Sequence, residues 1–130
     1  MIGDKLQQHA TQIASSLALA ELSYPFGDEI QVFKVMDKIF MLSFELAQNP
    51  MINLKVEPDQ GEMLREIYPS IRTGYHMNKR HWISVYAGEE ITAELVEDLV
   101  KTSYQLVTAK LNKQQKQVLA IHSAAQNSNP

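Results

Sequence analysis

The stretch that decides the fold runs from Ile30 to Val56 and reads IQVFKVMDKIFMLSFELAQNPMINLKV. Ile30, Val32 and Phe33 open one run rich in β-branched and aromatic residues. Ile39-Phe40-Met41-Leu42 forms a second, and Ile52, Leu54 and Val56 a third. Such runs, with partial alternation, fit half-buried strands. Met36-Asp37-Lys38 separates the first two and predicts a tight hairpin, and Asn49-Pro50 separates the second from the third. Three antiparallel strands are expected, at residues 30–36, 39–46 and 51–57.

Outward from this core, the period changes to that of helices. Leu6, Ala10, Ile13, Leu17 and Ala20 recur at steps of three and four, which predicts a helix over 4–22. Asp4 is the expected cap, and Pro25 ends the segment. Pro58 to Tyr68 reads as a short helix with Met63, Leu64 and Ile67 on its buried side. Residues 71–77 and 81–87 are expected to pair as a second hairpin across Asn78-Lys79-Arg80. Residues 92–111 predict a long helix, with Thr92 as N-cap and Leu95, Val96, Leu99, Val100, Leu106, Val107 and Leu111 on its apolar face. The expected architecture is an α+β two-layer sandwich: a five-stranded antiparallel sheet with helices, in the order α-β-β-β-α-β-β-α. A single domain over 1–115 is expected, and 116–130 reads as a helical extension or a frayed tail.

Composition bounds the function. The chain has 130 residues, 45% of them apolar and 21% charged, and no cysteine. Disulfide scaffolds, thiol chemistry and Cys-ligated metal are excluded. No apolar run approaches the roughly 20 residues of a spanning helix. The first residues lack a basic stretch followed by an apolar one, so no signal peptide is expected. These features fit a reducing cytoplasm, which is the expected location. The net charge of −3 argues against a protein that coats nucleic acid by bulk attraction. The charge is uneven, however. Gly88 to Asp98 carries Glu89, Glu90, Glu94, Glu97 and Asp98, whereas Ile67 to Ala87 holds Arg72, Lys79 and Arg80 and no acid.

Catalytic patterns are missing. The five glycines form no phosphate-binding loop, and no serine sits in a nucleophile elbow. His76 and His81 flank the expected second turn, but two imidazoles without a third ligand make a poor zinc site, so no metal and no cofactor are expected. Asp28 and Glu29 are neighbours on an extended segment, point apart, and make no acid–base pair. The expectation is a protein that is not an enzyme. Gly74-Tyr75-His76-Met77-Asn78-Lys79-Arg80-His81-Trp82 is the informative segment. Lys and Arg neutralise phosphates, Asn and His hydrogen-bond to phosphate or base edges, and Tyr and Trp offer stacking faces. The same residues also suit a purely structural role, with Trp82 and Tyr75 in the core and Lys79-Arg80 as a solvated turn.

That segment resembles the signature of the MmcQ/YjbR family. So do Asp28 to Val35, Lys38-Ile39-Phe40, Asn53-Leu54-Lys55 and Ser103 to Val107, in order and spacing over residues 1–115. The resemblance implies a fold like that of secretion chaperones and a DNA-binding role, with the two hairpins as paired wings. It singles out Lys34 and Lys55 in the strands and Tyr75, His76, Asn78, Lys79, Arg80, His81 and Trp82 in the signature. Lys38 and Arg72 join them as candidate phosphate contacts. The chain departs from the family pattern at Asp37, where glycine is usual in the hairpin turn, at Thr73, where proline is usual, and at Ile83, where a polar residue is usual. Asp37 sets a negative charge at a wing tip, which weakens the case for that hairpin, and the overall acidity makes the binding expected weak and largely independent of sequence. Two other readings stand beside DNA binding. One is a protein-interaction or chaperone-like module that associates through the glutamine- and lysine-rich segment after 111. The other is a small-molecule or anion site around Arg72, His76 and His81.

Overall fold

The computed structural model describes residues 1–127. Helix α1 (Gly3–Ser16) is followed by β1 (Ala20–Ser23), β2 (Gln31–Val35), β3 (Lys38–Leu46) and β4 (Asn49–Lys55). Then come α2 (Pro58–Ile67), β5 (Ile71–Thr73), β6 (Trp82–Tyr86), α3 (Ala93–Thr108) and α4 (Lys113–Asn127). The strands form one antiparallel sheet in the order β1-β2-β3-β4-β6-β5, with α1 and α3 packed on one face over the central strands. The α+β class follows as expected, with one strand more.

The extra strand corrects the first helix. Ala18 to Leu22 continue the helical spacing, yet α1 stops at Ser16, Leu17 turns extended and Leu19 takes a φ of 59°. The chain then reverses, and Ala20–Ser23 pairs with Val32–Val35. Strand pairing outweighs a marginal helical stripe here. Asp4 lies in the first turn of α1 and does not cap it; Ile2 is the N-cap residue. The Thr92 cap is formed: its hydroxyl accepts from the Leu95 amide at 3.1 Å.

Both tight turns use two residues with positive φ, Met36-Asp37 (47° and 68°) and Ala47-Gln48 (50° and 68°). This twist matches that of the flanking strands. Asn49 and Pro50 therefore sit inside β4, opposite Leu46 and Glu45, and do not form the turn. Between β2 and β3 the register slips, so that Phe33 faces Met41 while Lys34 faces Ile39. Phe40 is the extra residue of a β-bulge. Its ring turns to the helices, 6.4 Å from the Phe33 ring and edge-on to Tyr104 at 5.3 Å. Ser103, fully buried in α3, stitches this bulge to the next strand. Its hydroxyl donates to the Phe40 carbonyl at 2.6 Å and accepts from the Lys55 amide at 2.8 Å. The Tyr104 hydroxyl donates to the Ala18 carbonyl at 2.7 Å, and burial raises its pKa above the ordinary tyrosine value.

The end of the chain is a separate helix and not an extension of α3. A turn at Ala109–Leu111 interrupts the two, and Asn112 Oδ1 accepts from the Gln115 amide at 2.8 Å to start α4. Leu119 packs against the core, while Val118 and Ile121 face out. The segment 116–130, read as a helical extension or a frayed tail, is helical through Asn127 and beyond that lies outside the described residues.

Candidate nucleic-acid interface

Strand alternation sorts the candidate residues by face. Phe33, Met41, Leu54 and Ile83 form one cross-strand row and belong to the core under the helices. The adjacent row, Val32, Leu42, Asn53, Ser84 and Arg72, therefore faces away from α1 and α3. Lys34, Lys55 and Trp82 lie two residues along their strands from members of this row, so they share its face. Phe44 and Tyr86 do the same. Ile83 is fully buried on the helix side, so its departure from the family pattern is a matter of core packing and not of a lost surface contact.

The segment expected to continue both strands of the second hairpin is instead a loop, residues 74–81, folded over this outer face. Asn53 and Ser84, 1% and 0% exposed, hold it. Asn53 Nδ2 donates to the Tyr75 carbonyl at 3.1 Å, and the Tyr75 amide donates to Ser84 Oγ at 2.9 Å. The Ser84 hydroxyl in turn donates to Asn53 Oδ1 at 2.5 Å. Both main-chain groups of Tyr75 are thus captured by a closed side-chain network, and its ring settles 6.2 Å from that of Phe44. Only glycine fits at 74, because a Cβ there would stand 2.6 Å from that of Trp82. His76 follows with a φ of 58°, exposed, its ring 4.2 Å from that of Tyr75.

The rest of the loop braces itself. Asn78 Oδ1 accepts from the Arg80 amide at 2.9 Å, an Asx turn, and the Asn78 carbonyl accepts from the His81 amide at 3.2 Å. Lys79 Nζ approaches the Gly74 carbonyl at 3.4 Å. Asn78 and the Tyr75 backbone therefore build the loop, while Lys79 and Arg80 are exposed at its tip. Arg72 lies over the Tyr86 ring, 5.6 Å from its centroid.

Three cations and the indole meet at the end of the sheet. Lys38 from β3, Lys55 from β4 and Lys110 beyond α3 line a depression of about 390 Å³ with Trp82, Ile39, Val107 and Asp37. Lys55 and Lys110 also line a smaller one of about 170 Å³ with His81 and Glu57. Arg72, His76 and His81 are thus in three separate settings: against Tyr86, against Tyr75 and beside Lys55. Lys110 is the residue that sequence reasoning did not include; its signal was its position one turn past Ser103 to Val107, a segment already singled out. Among the described residues the one ion pair is Lys101 with Glu97, 2.8 Å apart, which holds the Glu97 carboxyl below its usual pKa. Among the described residues, Lys34, Lys38, Lys55, Arg72, Lys79 and Arg80 are in no ion pair, with Glu21 across the ladder from Lys34.

A six-stranded antiparallel sheet with helices on one face and a clamped, cation-bearing loop on the other defines a small α+β class. Within it, the YjbR family model matches residues 15–106, and the chain belongs to the YjbR family. It is 52% identical over 108 residues to the uncharacterized protein YbdF of Escherichia coli O157:H7, covering 83% of this chain and 88% of that one. It is 31% identical over 86 residues to the uncharacterized protein YjbR of Escherichia coli K12, covering 66% of this chain and 73% of the relative. The crystal structure of Deinococcus radiodurans protein DR2400, with a DUF419 domain, superposes with a TM-score of 0.77 at 35% identity, over 92% of this chain and 88% of that one. A crystal structure from Pseudomonas syringae matches with a TM-score of 0.67 at 26% identity, over 82% and 99% of the two chains.

Proposed function

We propose that the protein binds DNA through the phosphate backbone, without catalysis, from the outer face of its sheet. One observation carries the reading: the strand register puts Lys34, Lys55 and Arg72 on the face that also bears the Lys79-Arg80 loop, and among the described residues none of these cations is held in an ion pair, although Glu21 stands across from Lys34. Trp82 offers a stacking surface beside Lys38 and Lys55. Asp37 in the same depression, and the net charge of −3, keep the attraction weak and poor in sequence preference. On this reading the protein works with nucleic acid in the cytoplasm; no helix among the described residues is long and apolar enough to cross a membrane.

The test is a titration of duplex DNA over a range of salt. Four of these five cations on phosphate at once give a log–log slope of roughly −3.6 and about a hundredfold loss of affinity between 50 and 200 mM salt. Lys79→Ala/Arg80→Ala removes two contacts and should bring the slope to about −1.8. A flat salt dependence, or a double variant that binds like the parent, overturns the reading.

Association with another protein is the second reading, favoured by Val118 and Ile121 on the outer side of α4, Ile121 being 68% exposed. If α4 joins two copies, Val118→Lys/Ile121→Lys converts a dimer to a monomer in sedimentation. Identical masses for variant and parent count against it.

A further inference from the structure

Two helices carry large apolar side chains that the fold leaves uncovered. On α2 they are Met63 and Ile67, 52% and 57% exposed, and on α4 Val118 and Ile121, 39% and 68% exposed. The two helices are opposite in charge. Asp59, Glu62 and Glu66 of α2 are all exposed, whereas Arg65, its one base, turns inward with Nη1 buried against Gly61. On α4, Lys113 and Lys116 are exposed and the helix contains no acid. Among the described residues none of these acids and lysines is in an ion pair.

Their spacing matches as well. Residues four apart form a row along a helix. Asp59, Met63 and Ile67 make one such row on α2, and Lys113, Gln117 and Ile121 make the same row on α4. Each row starts on a charge and ends on an isoleucine roughly 12 Å further along the axis. Glu62 follows Asp59 by the same interval at which Lys116 follows Lys113. With the helices side by side and parallel, Asp59 stands level with Lys113, Glu62 with Lys116 and Ile67 with Ile121. Two α4 helices packed together would instead crowd lysines with no acid between them. Leu22, Tyr24 and Phe26 form another exposed apolar group near acids, but they lie on β1 and the turn after it, and offer no helical row.

We propose that α4 of one copy docks on α2 of a second copy, parallel and in this register, with Lys113 and Lys116 beside Asp59 and Glu62 and the two isoleucines packed together. This rests on the reading that α4 joins two copies and adds the surface that receives it.

Sedimentation of the full chain tests the contact by charge reversal. Asp59→Lys/Glu62→Lys and Lys113→Glu/Lys116→Glu are each expected to weaken self-association about tenfold or more, because attraction between two exposed pairs becomes repulsion. An equimolar mixture of the two variants restores association, which also shows that both are folded. The chain has no cysteine, so introduced ones report the alignment. Ile67→Cys mixed with Ile121→Cys is expected to form a disulfide-linked pair, and Asp59→Cys mixed with Ile121→Cys is not, because the bond spans only roughly 4.4–6.8 Å between Cα atoms. A monomeric parent overturns the proposal together with the reading it rests on. The proposal alone is overturned if Val118→Lys/Ile121→Lys separates the copies but Asp59→Lys/Glu62→Lys does not, if the mixed variants stay apart, or if Asp59→Cys is the one that links. Separation by Glu21→Lys/Glu29→Lys in place of the α2 variant overturns it in favour of the segment around β1.

Discussion

Asn53→Ala is expected to destabilise the fold by about 3 kcal/mol, because it strips the Tyr75 carbonyl and the Ser84 hydroxyl of buried partners at roughly 1–3 kcal/mol each. For a chain of this length that lowers the melting temperature by about 10 °C. Calorimetry measures the shift, and urea titration gives the free energy. Ser84→Ala breaks the same network from the other side, so the double variant should lose less than the two single losses summed. Amide exchange adds a local readout: the Tyr75 amide, now held by Ser84 Oγ, should lose protection along with the loop from Gly74 to His81. A loss below about 1 kcal/mol, the value of an ordinary exposed hydrogen bond, would mean that the network does not hold the loop.

Phe40→Ala is expected to cost about 4 kcal/mol, in the range for emptying a buried phenylalanine site, and about 15 °C in melting temperature. The ring is fully buried at a bulge, between Phe33 and the edge of Tyr104. The backbone there is pinned through Ser103, so the walls have little freedom to close on the hole. Phe40→Leu keeps most of the volume and should cost less than half as much. Phe26→Ala is the control, since that ring is 63% exposed. If both alanine variants melt alike, the account of the bulge is wrong.

The elements that could be read from the sequence are those whose signals are local. Met36-Asp37 marked a hairpin because the runs on either side were unmistakably strand-like, and Thr92 followed by acidic residues marked a helix start that the structure bears out. The errors lie where distant groups decide. Ala20 to Ser23 fit a helix as well as a strand, and only pairing with β2 makes them β1. Gly74 to Met77 read as a strand, but Asn53 and Ser84, remote in sequence, take the hydrogen bonds that a ladder would have used. No glycine or proline marks the break between α3 and α4. For the site, the cationic and aromatic residues were legible one by one. Their faces were not, because Lys34 and Arg72 are brought to one side by the strand order. Asn53 was visible only as part of a family pattern, although a polar residue between Ile52 and Leu54 is itself a sign of a buried network.

Ser103 has a consequence for how any anion would be received. One hydroxyl on α3 grips both the bulge near Lys38 and the amide of Lys55, and the same helix leads into Lys110. The three lysine backbones therefore stand on a common rigid frame before a ligand arrives. Capture then demands no rearrangement of peptide groups, only the freezing of lysine side-chain rotamers, each at roughly 1.5–2 kcal/mol when fully immobilised. Selectivity among anions would rest on the reach of three flexible arms from fixed shoulders.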